Sequence, residues 1–267
     1  MLELNKIYLQ DCLEGMKELD DNSIDLVVTS PPYDNLRKYN GFSWNFEGVA
    51  KEMFRIIKNG GVVVWVVGDK VESGSKSLTS FKHALYFKEI GFNIYDVIIY
   101  KKSSPSPPHK NRYFNSFEYM FILSKSKPIT INLLKDRPNK CAGTSSGILT
   151  RREKNGTLTT KKSIFINDFG TRNNIWEYDI GNNKSTTDKI AFKHPAIFPE
   201  KLVKDHIISW SNQGDIVLDP FMGSGTTAKI AIQTNRQYIG FETNEEYYNL
   251  ANERINDNKT NILLSFI

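Results

Sequence analysis

The chain is poor in cysteine. Two stand among 267 residues, Cys12 and Cys141, too few for a disulfide framework or a cysteine-based metal cluster. No metal-ligand cluster is visible in the sequence, and no metal is expected. Long apolar runs are missing too. The longest, residues 62–67 (VVVWVV), falls far short of the roughly 20 residues that cross a bilayer. The opening residues, Met1-Leu2-Glu3-Leu4-Asn5-Lys6, carry no basic stretch followed by an apolar core, so no secretory leader is expected and a cytoplasmic protein is. There is no internal repeat.

What is there fits a folded domain. The hydrophobic fraction is 39% and the aromatic fraction 12%, and the length suits one large domain with an insertion. Apolar stretches at 7–10, 24–29, 62–67, 95–100, 118–123 and 215–219 read as strands. Helical periodicity runs through 46–58, 80–90, 197–210, 228–234 and 244–254, and Asn59-Gly60-Gly61 stops the first of these. Strands alternating with helices predict a doubly wound α/β sheet.

Two strand ends carry chemistry. Ser30-Pro31-Pro32-Tyr33 follows the apolar run ending at Thr29. Neither proline has an N–H to give, so the ladder stops there. The turn then presents a hydroxyl, a carbonyl and an aromatic ring together, which suits holding a flat heterocycle by its amino group and its face. A stiff strand-ending turn with a packed tyrosine is the plain alternative. The second end is Asp219-Pro220-Phe221-Met222-Gly223-Ser224-Gly225-Thr226-Thr227, after the strand 215–219 and before a helix. Glycines there let backbone approach a ligand, and the helix N-terminus favours an anionic group. The next strand closes on Gly240-Phe241-Glu242, an acid where ribose hydroxyls are gripped in such folds; a helix-capping carboxylate is the alternative.

These residues resemble the amino-methylating DNA methyltransferases that use S-adenosylmethionine. That family carries a [DNS]PP[YFW] tetrapeptide and a DPFxGSGTT loop. His194-Pro195-Ala196-Ile197-Phe198-Pro199 and Gln10-Asp11-Cys12 match two further family elements. With the tetrapeptide first and the loop last, the order resembles the circularly permuted beta subgroup. The resemblance implies a mostly parallel sheet of the S-adenosylmethionine-dependent methyltransferase type, with an edge antiparallel hairpin and an inserted recognition region. The catalytic domain is expected over 1–128 and 194–267, and the insertion over 129–193.

The resemblance also assigns roles. Ser30, Pro31, Pro32 and Tyr33 hold the target base. Asp11, Cys12, His194, Pro195, Phe198, Asp219, Phe221, Gly223, Gly225, Thr226, Thr227 and Glu242 hold the cofactor. Methyltransferases that act on ring carbon 5 of cytosine present a thiolate in a Pro-Cys pair. Here Asp11 precedes Cys12 and Lys140 precedes Cys141, which leaves direct transfer to an exocyclic nitrogen. The SPPY form leans towards N4 of cytosine, and N6 of adenine is the alternative. An RNA or protein amino-methyltransferase and a non-catalytic DNA-binding protein are the further alternatives.

Charge points to the partner. Residues 129–193 hold twelve basic and six acidic residues, an excess of +6 in a chain of net +5. Local basic excess is what phosphate binding requires, so Arg151, Arg152, Lys154, Lys161 and Lys162 are expected to meet double-stranded DNA. A solvated lysine-rich insertion is the alternative. Beta-subgroup relatives often pair, so the resemblance makes a homodimer the expectation; a cognate restriction endonuclease is one candidate partner, with an orphan or phage role the alternative. Residues 101–117, rich in serine and proline, are expected to form a long loop.

Overall fold

The structure is a computed structural model, and it describes residues 2–32, 44–106, 111–161, 163–181 and 184–264. In chain order the strands are β1 (Lys6–Leu9), β2 (Ile24–Thr29), β3 (Ile57–Val67), β4 (Val71–Glu72), β5 (Ser75–Lys76), β6 (Asn93–Ser106), β7 (Asn115–Ser124), β8 (Arg137–Pro138), β9 (Leu149–Arg152), β10 (Leu158–Lys161), β11 (Phe169–Gly170), β12 (Ile175–Tyr178), β13 (Ile216–Asp219) and β14 (Gln237–Glu242). The α-helices are α1 (Cys12–Lys17), α2 (Phe46–Ile56), α3 (Thr79–Glu89), α4 (Glu200–Trp210), α5 (Thr226–Gln233) and α6 (Glu245–Leu264).

Eight strands form one sheet in the order β1-β14-β13-β2-β3-β7-β6-β12. All neighbours are parallel except at β7, which runs antiparallel to both β3 and β6. The expected antiparallel hairpin is therefore present, but it is not the sheet's edge. Ile175–Tyr178 pairs with β6 and takes that position. Trp176 anchors it, 7% exposed and stacked on His206 at 4.7 Å.

The core lies on both faces of the sheet, as a parallel sheet demands. Val27, Val63, Trp65, Val67, Leu218 and Phe241 pack on one side with Met16, Val49, Met53, Ile56 and Phe87 from α1, α2 and α3. Leu26, Val28, Val62, Val64 and Val66 are buried on the other side, where α4 packs on β2 and β3. Alternation along one strand thus serves two layers. The helix predicted over 46–58 ends at Ile56, because β3 starts at once at Ile57. α4 begins at Glu200 with Pro199 as its extended N-cap residue, a place that tolerates a residue with no N–H to give.

The loop expected over 101–117 is mostly strand. β6 runs on to Ser106 and β7 starts at Asn115. The pairing skips register between Lys101 and Ser106, and such an irregularity accommodates a proline that a regular ladder would reject. The expected 129–193 insertion is longer than the compact unit observed, Leu133–Asn173. That unit contains two small antiparallel pairs, β8–β11 and β9–β10, and an ion pair between Arg172 and Asp136. Residues 2–132 and 174–264 make the other unit. Among the described residues no helix is long and apolar enough to cross a membrane.

Candidate active site

β13 and β2 are neighbours whose onward connections run in opposite directions, β2 towards β3 and β13 towards β14. The carboxyl ends of strands at such a switch point frame a crevice. Here the crevice is about 950 Å³. Ser30, Pro31 and Pro32 from the end of β2 line it together with Asp219 to Ser224 from the last residue of β13 onward, Glu242 at the end of β14 and Asp11 and Cys12 after β1. His194, Pro195, Phe198 and Thr226 line it as well. Two expected cofactor residues do not. Gly225 lies behind the crevice as the left-handed N-cap of α5, φ 79°, against Ala251. Thr227 points inward, donating to Asp219 Oδ2 at 2.7 Å. Tyr33 lies outside the described residues.

Asp219 ties the two strand ends together. Its carboxylate accepts from Thr29 Oγ1 at 2.7 Å, Thr227 Oγ1 at 2.7 Å and the Phe221 N–H at 3.0 Å. The side chain is buried. Burial pushes its pKa up to about 6, and the two threonine hydroxyls and the backbone donor hold it from rising further.

Glu242 organises the glycine turn. Its carboxylate accepts from the Gly223 N–H at 2.8 Å and the Asn244 N–H at 2.9 Å. Burial raises its pKa above the ordinary glutamate range, against those backbone donors. Gly223 sits at φ 52°, and a Cβ there would stand 3.1 Å from the His194 ring. His194 in turn meets the Tyr247 ring edge-on at 4.3 Å and bonds through Nδ1 to the backbone of Ala196. Asp11 caps α1, accepting from the Leu13 and Glu14 N–H groups. The Cys12 thiol is pushed far up by burial, so it is no thiolate nucleophile.

Sequence reading missed the group beneath the turn. Arg254, 1% exposed, donates to the Ser224 carbonyl and Thr226 Oγ1, both at 2.9 Å. It also pairs with Asp188 at 2.7 Å and Glu200 at 2.5 Å. Lys229 pairs with the same two acids at 2.7 and 2.8 Å. Two buried cations thus meet two half-buried acids, and the four bind the segment carrying His194 to α5 and α6. The cleft wall formed by β6 and β7 was missed as well: Tyr100, Lys102, Asn115 and Glu118 all line it.

In the 133–173 unit, Arg151, Arg152 and Lys154 are exposed on the β9–β10 hairpin and its turn. Lys161 pairs through its backbone with Leu149; its side chain and all of Lys162 lie outside the described residues.

Residues 24–253 match the family described as DNA methylase, N6_N4_Mtase. The chain belongs to this family. Orphan methyltransferase M.BamHII of Bacillus amyloliquefaciens is 59% identical over 243 residues, 90% of this chain and 92% of that one. Type II methyltransferase M.BglII of Bacillus subtilis is 30% identical, over 93% of this chain and 68% of that one. The Thermus thermophilus protein TTHA0409, crystallised with S-adenosyl-L-methionine, superposes with a TM-score of 0.65 at 25% identity, covering 95% and 93% of the two chains. The cytosine-N4-specific PvuII DNA methyltransferase shares the fold, with a TM-score of 0.67, at 22% identity over 97% and 92%. The chain is a DNA methyltransferase of the N4/N6 amino-methylating type.

Proposed function

We propose that this methyltransferase moves a methyl group from S-adenosylmethionine to N4 of a cytosine extruded from duplex DNA. The observation that carries the reading is the shared cleft: Ser30, Pro31 and Pro32 open onto the same cavity as the Gly223 turn and Glu242. Family members with the serine form of the tetrapeptide lean towards cytosine, and that trend supports cytosine over adenine here.

The residues present fit the cofactor. Gly223 leaves space that a Cβ would fill against His194. Gln10 Nε2 is buried at the cleft with no hydrogen-bond partner among the described residues, and a heterocycle beside it supplies acceptors. Glu242 has lone pairs left for ribose hydroxyls. Asp11, Cys12, His194, Pro195, Phe198, Phe221 and Thr226 complete the lining, while Asp219, Gly225 and Thr227 shape the turn. When bound, S-adenosylmethionine supplies an electrophilic sulfonium methyl.

The chain's own task is positional. An exocyclic amino nitrogen is a poor nucleophile because its lone pair is delocalised into the ring. Ser30 Oγ and the Pro31 carbonyl accept its two hydrogens and favour a more tetrahedral nitrogen. Neither is a strong base, so the amino proton stays until the new bond has formed. Tyr33 stacks on the extruded base. Arg151, Arg152, Lys154, Lys161 and Lys162 hold phosphates.

Incubation with labelled S-adenosylmethionine and duplex DNA, followed by nucleoside mass spectrometry, tests the reading. N4-methylcytosine is the expected product. N6-methyladenine would reassign the base, and label on RNA or protein alone would reassign the substrate class.

Two finer points belong to the same proposal. The chain pairs with a second copy through the exposed Phe81, Leu85 and Phe117, which light scattering at micromolar concentration tests. The second is the setting: the Type II name of M.BglII suggests a cognate endonuclease beside it, and the orphan name of M.BamHII a methyltransferase without one. Restriction activity in the source cell separates the two.

A further inference from the structure

Opposite Ser30, the cleft wall holds a charged pair that no role above uses. Lys102 Nζ and Glu118 Oε1 stand 2.5 Å apart, and their side chains are only 19% and 15% exposed. Holding such a pair out of water costs desolvation, and the backbone ladder already joins β6 to β7. Both residues line the cavity that Ser30, Pro31 and Pro32 open onto.

The ammonium has donors to spare. It carries three N–H groups. Among the described residues Glu118 accepts one, and its other recorded neighbour is the Tyr100 ring, 6.0 Å away at the centroid. Two donors on this residue of the cleft wall therefore have no acceptor among the described residues. β6 lies three strands from β2 in the sheet, about 14 Å at the usual strand spacing. A pyrimidine ring and an extended lysine stem together span that distance.

We propose that Lys102 selects the target base by donating to the 2-keto oxygen of cytosine while Ser30 and Pro31 hold the 4-amino group. This rests on the cytosine reading above. Along the Watson–Crick edge both candidate bases present an amino donor and then a ring nitrogen acceptor. The third position separates them: cytosine has a keto oxygen where adenine has C2–H. An ammonium fixed by Glu118 meets an acceptor in the first case and none in the second. A site built to hydrogen-bond one substrate rejects an analogue that leaves its donors unpaired.

The experiment begins with the methylated base and site, read from DNA of a host expressing the chain. N6-methyladenine from the wild type overturns the cytosine reading and this proposal with it. With N4-methylcytosine confirmed, the wild type, Lys102→Arg and the double variant Lys102→Met/Glu118→Gln are compared on that duplex. The same duplex with adenine at the target position serves as the second substrate. The double variant removes both charges together, so no lone carboxylate is left buried. Its kcat/KM on cytosine should fall about 10- to 100-fold, with a smaller fractional change on adenine. Cofactor affinity and the salt dependence of DNA binding should stay as in the wild type, and Lys102→Arg should recover part of the loss. Equal fractional losses on the two bases, or no loss, overturn the proposal. So does a salt slope reduced by about 0.9, which marks a phosphate contact instead. If the double variant does not fold, Lys102→Met alone carries the same comparison, and an unchanged ratio of cytosine to adenine overturns the assignment.

Discussion

Thr29 donates through Oγ1 to Asp219 Oδ1 at 2.7 Å, across 190 residues of sequence. Thr29 is the last residue of β2, immediately before Ser30, and Asp219 is the last residue of β13, immediately before the glycine turn. One buried bond therefore sets the Ser30-Pro31-Pro32 turn against the glycine turn. Thr227 grips the second oxygen of the same carboxylate from α5. A shift in either strand end is passed to the other through a single side chain.

That carboxylate makes stability depend on pH. The folded-state pKa of Asp219 is pushed up to about 6 by burial, above the roughly 3.9 of an unfolded chain. Its protonated form is thus favoured by folding, a contribution present below about pH 4 and lost as pH rises through about 6. Asp219→Asn carries no charge to bury. Its Oδ1 keeps the Thr29 and Phe221 donors, and Thr227 can accept from the new amide while donating to the Val28 carbonyl, now 3.4 Å away. Relative to wild type, the variant should be more stable at pH 7 than at pH 4 by on the order of 3 kcal/mol. Urea unfolding at the two pH values measures this, and a pH-independent difference would show that Asp219 does not titrate there.

The two halves of the cleft should separate in kinetics. On the proposed reading Ser30→Ala removes an acceptor for the amino group and leaves the glycine turn intact. It should lower kcat by about two orders of magnitude while cofactor affinity stays near wild type. Glu242→Ala should do the reverse, weakening cofactor binding about 10-fold or more. Calorimetry with S-adenosylmethionine decides both; loss of binding in Ser30→Ala would move that residue out of the base-holding role.

Much of this site was legible because its elements are local. The apolar runs into Ser30 and Asp219, the double proline and the glycine turn each act within about ten residues, and the strand ends they predict are where the cleft opens. What stayed hidden is non-local. Arg254 sits in a polar helix and reads as a solvated residue, yet its partners Ser224, Glu200 and Asp188 are 30, 54 and 66 residues away. Lys102 and Glu118 meet only because β6 and β7 pair. Ile175–Tyr178 reads as part of an insertion, since nothing in four residues says which sheet they will join.

DNA affinity should fall steeply with salt, through the hairpin of the 133–173 unit. Arg151, Arg152 and Lys154 are exposed there, with Glu153 the acid among them. Each phosphate contact contributes about 0.9 to the slope of log affinity against log salt. Neutralising all three should therefore flatten the slope by about 2 to 3 and leave cofactor binding unchanged. Fluorescence anisotropy on a labelled duplex at graded salt reads it directly, and an unaltered slope would mean these charges are merely solvated.

The buried charges under the glycine turn should behave as one unit. Arg254→Met removes one cation and leaves Asp188 and Glu200 facing Lys229 alone, with the Ser224 carbonyl and Thr226 hydroxyl stripped of their donor. Breaking a buried ionic cluster from one side costs about 3–5 kcal/mol, so this variant should melt well below wild type. Burial and its two cationic partners act in opposite senses on Asp188, and its pKa ends lowered. Its ionised form is thus favoured by folding, and that contribution is lost as pH falls below the ordinary aspartate range. Arg254→Met, having lost one of the two cations, should show less of this acid loss than wild type. Lys229→Met should do the same from α5. If each single variant costs several kcal/mol while the two together cost much less than their sum, the four groups act as a unit. Simple additivity in a thermal double-mutant cycle would instead mean that Arg254 and Lys229 hold the turn independently.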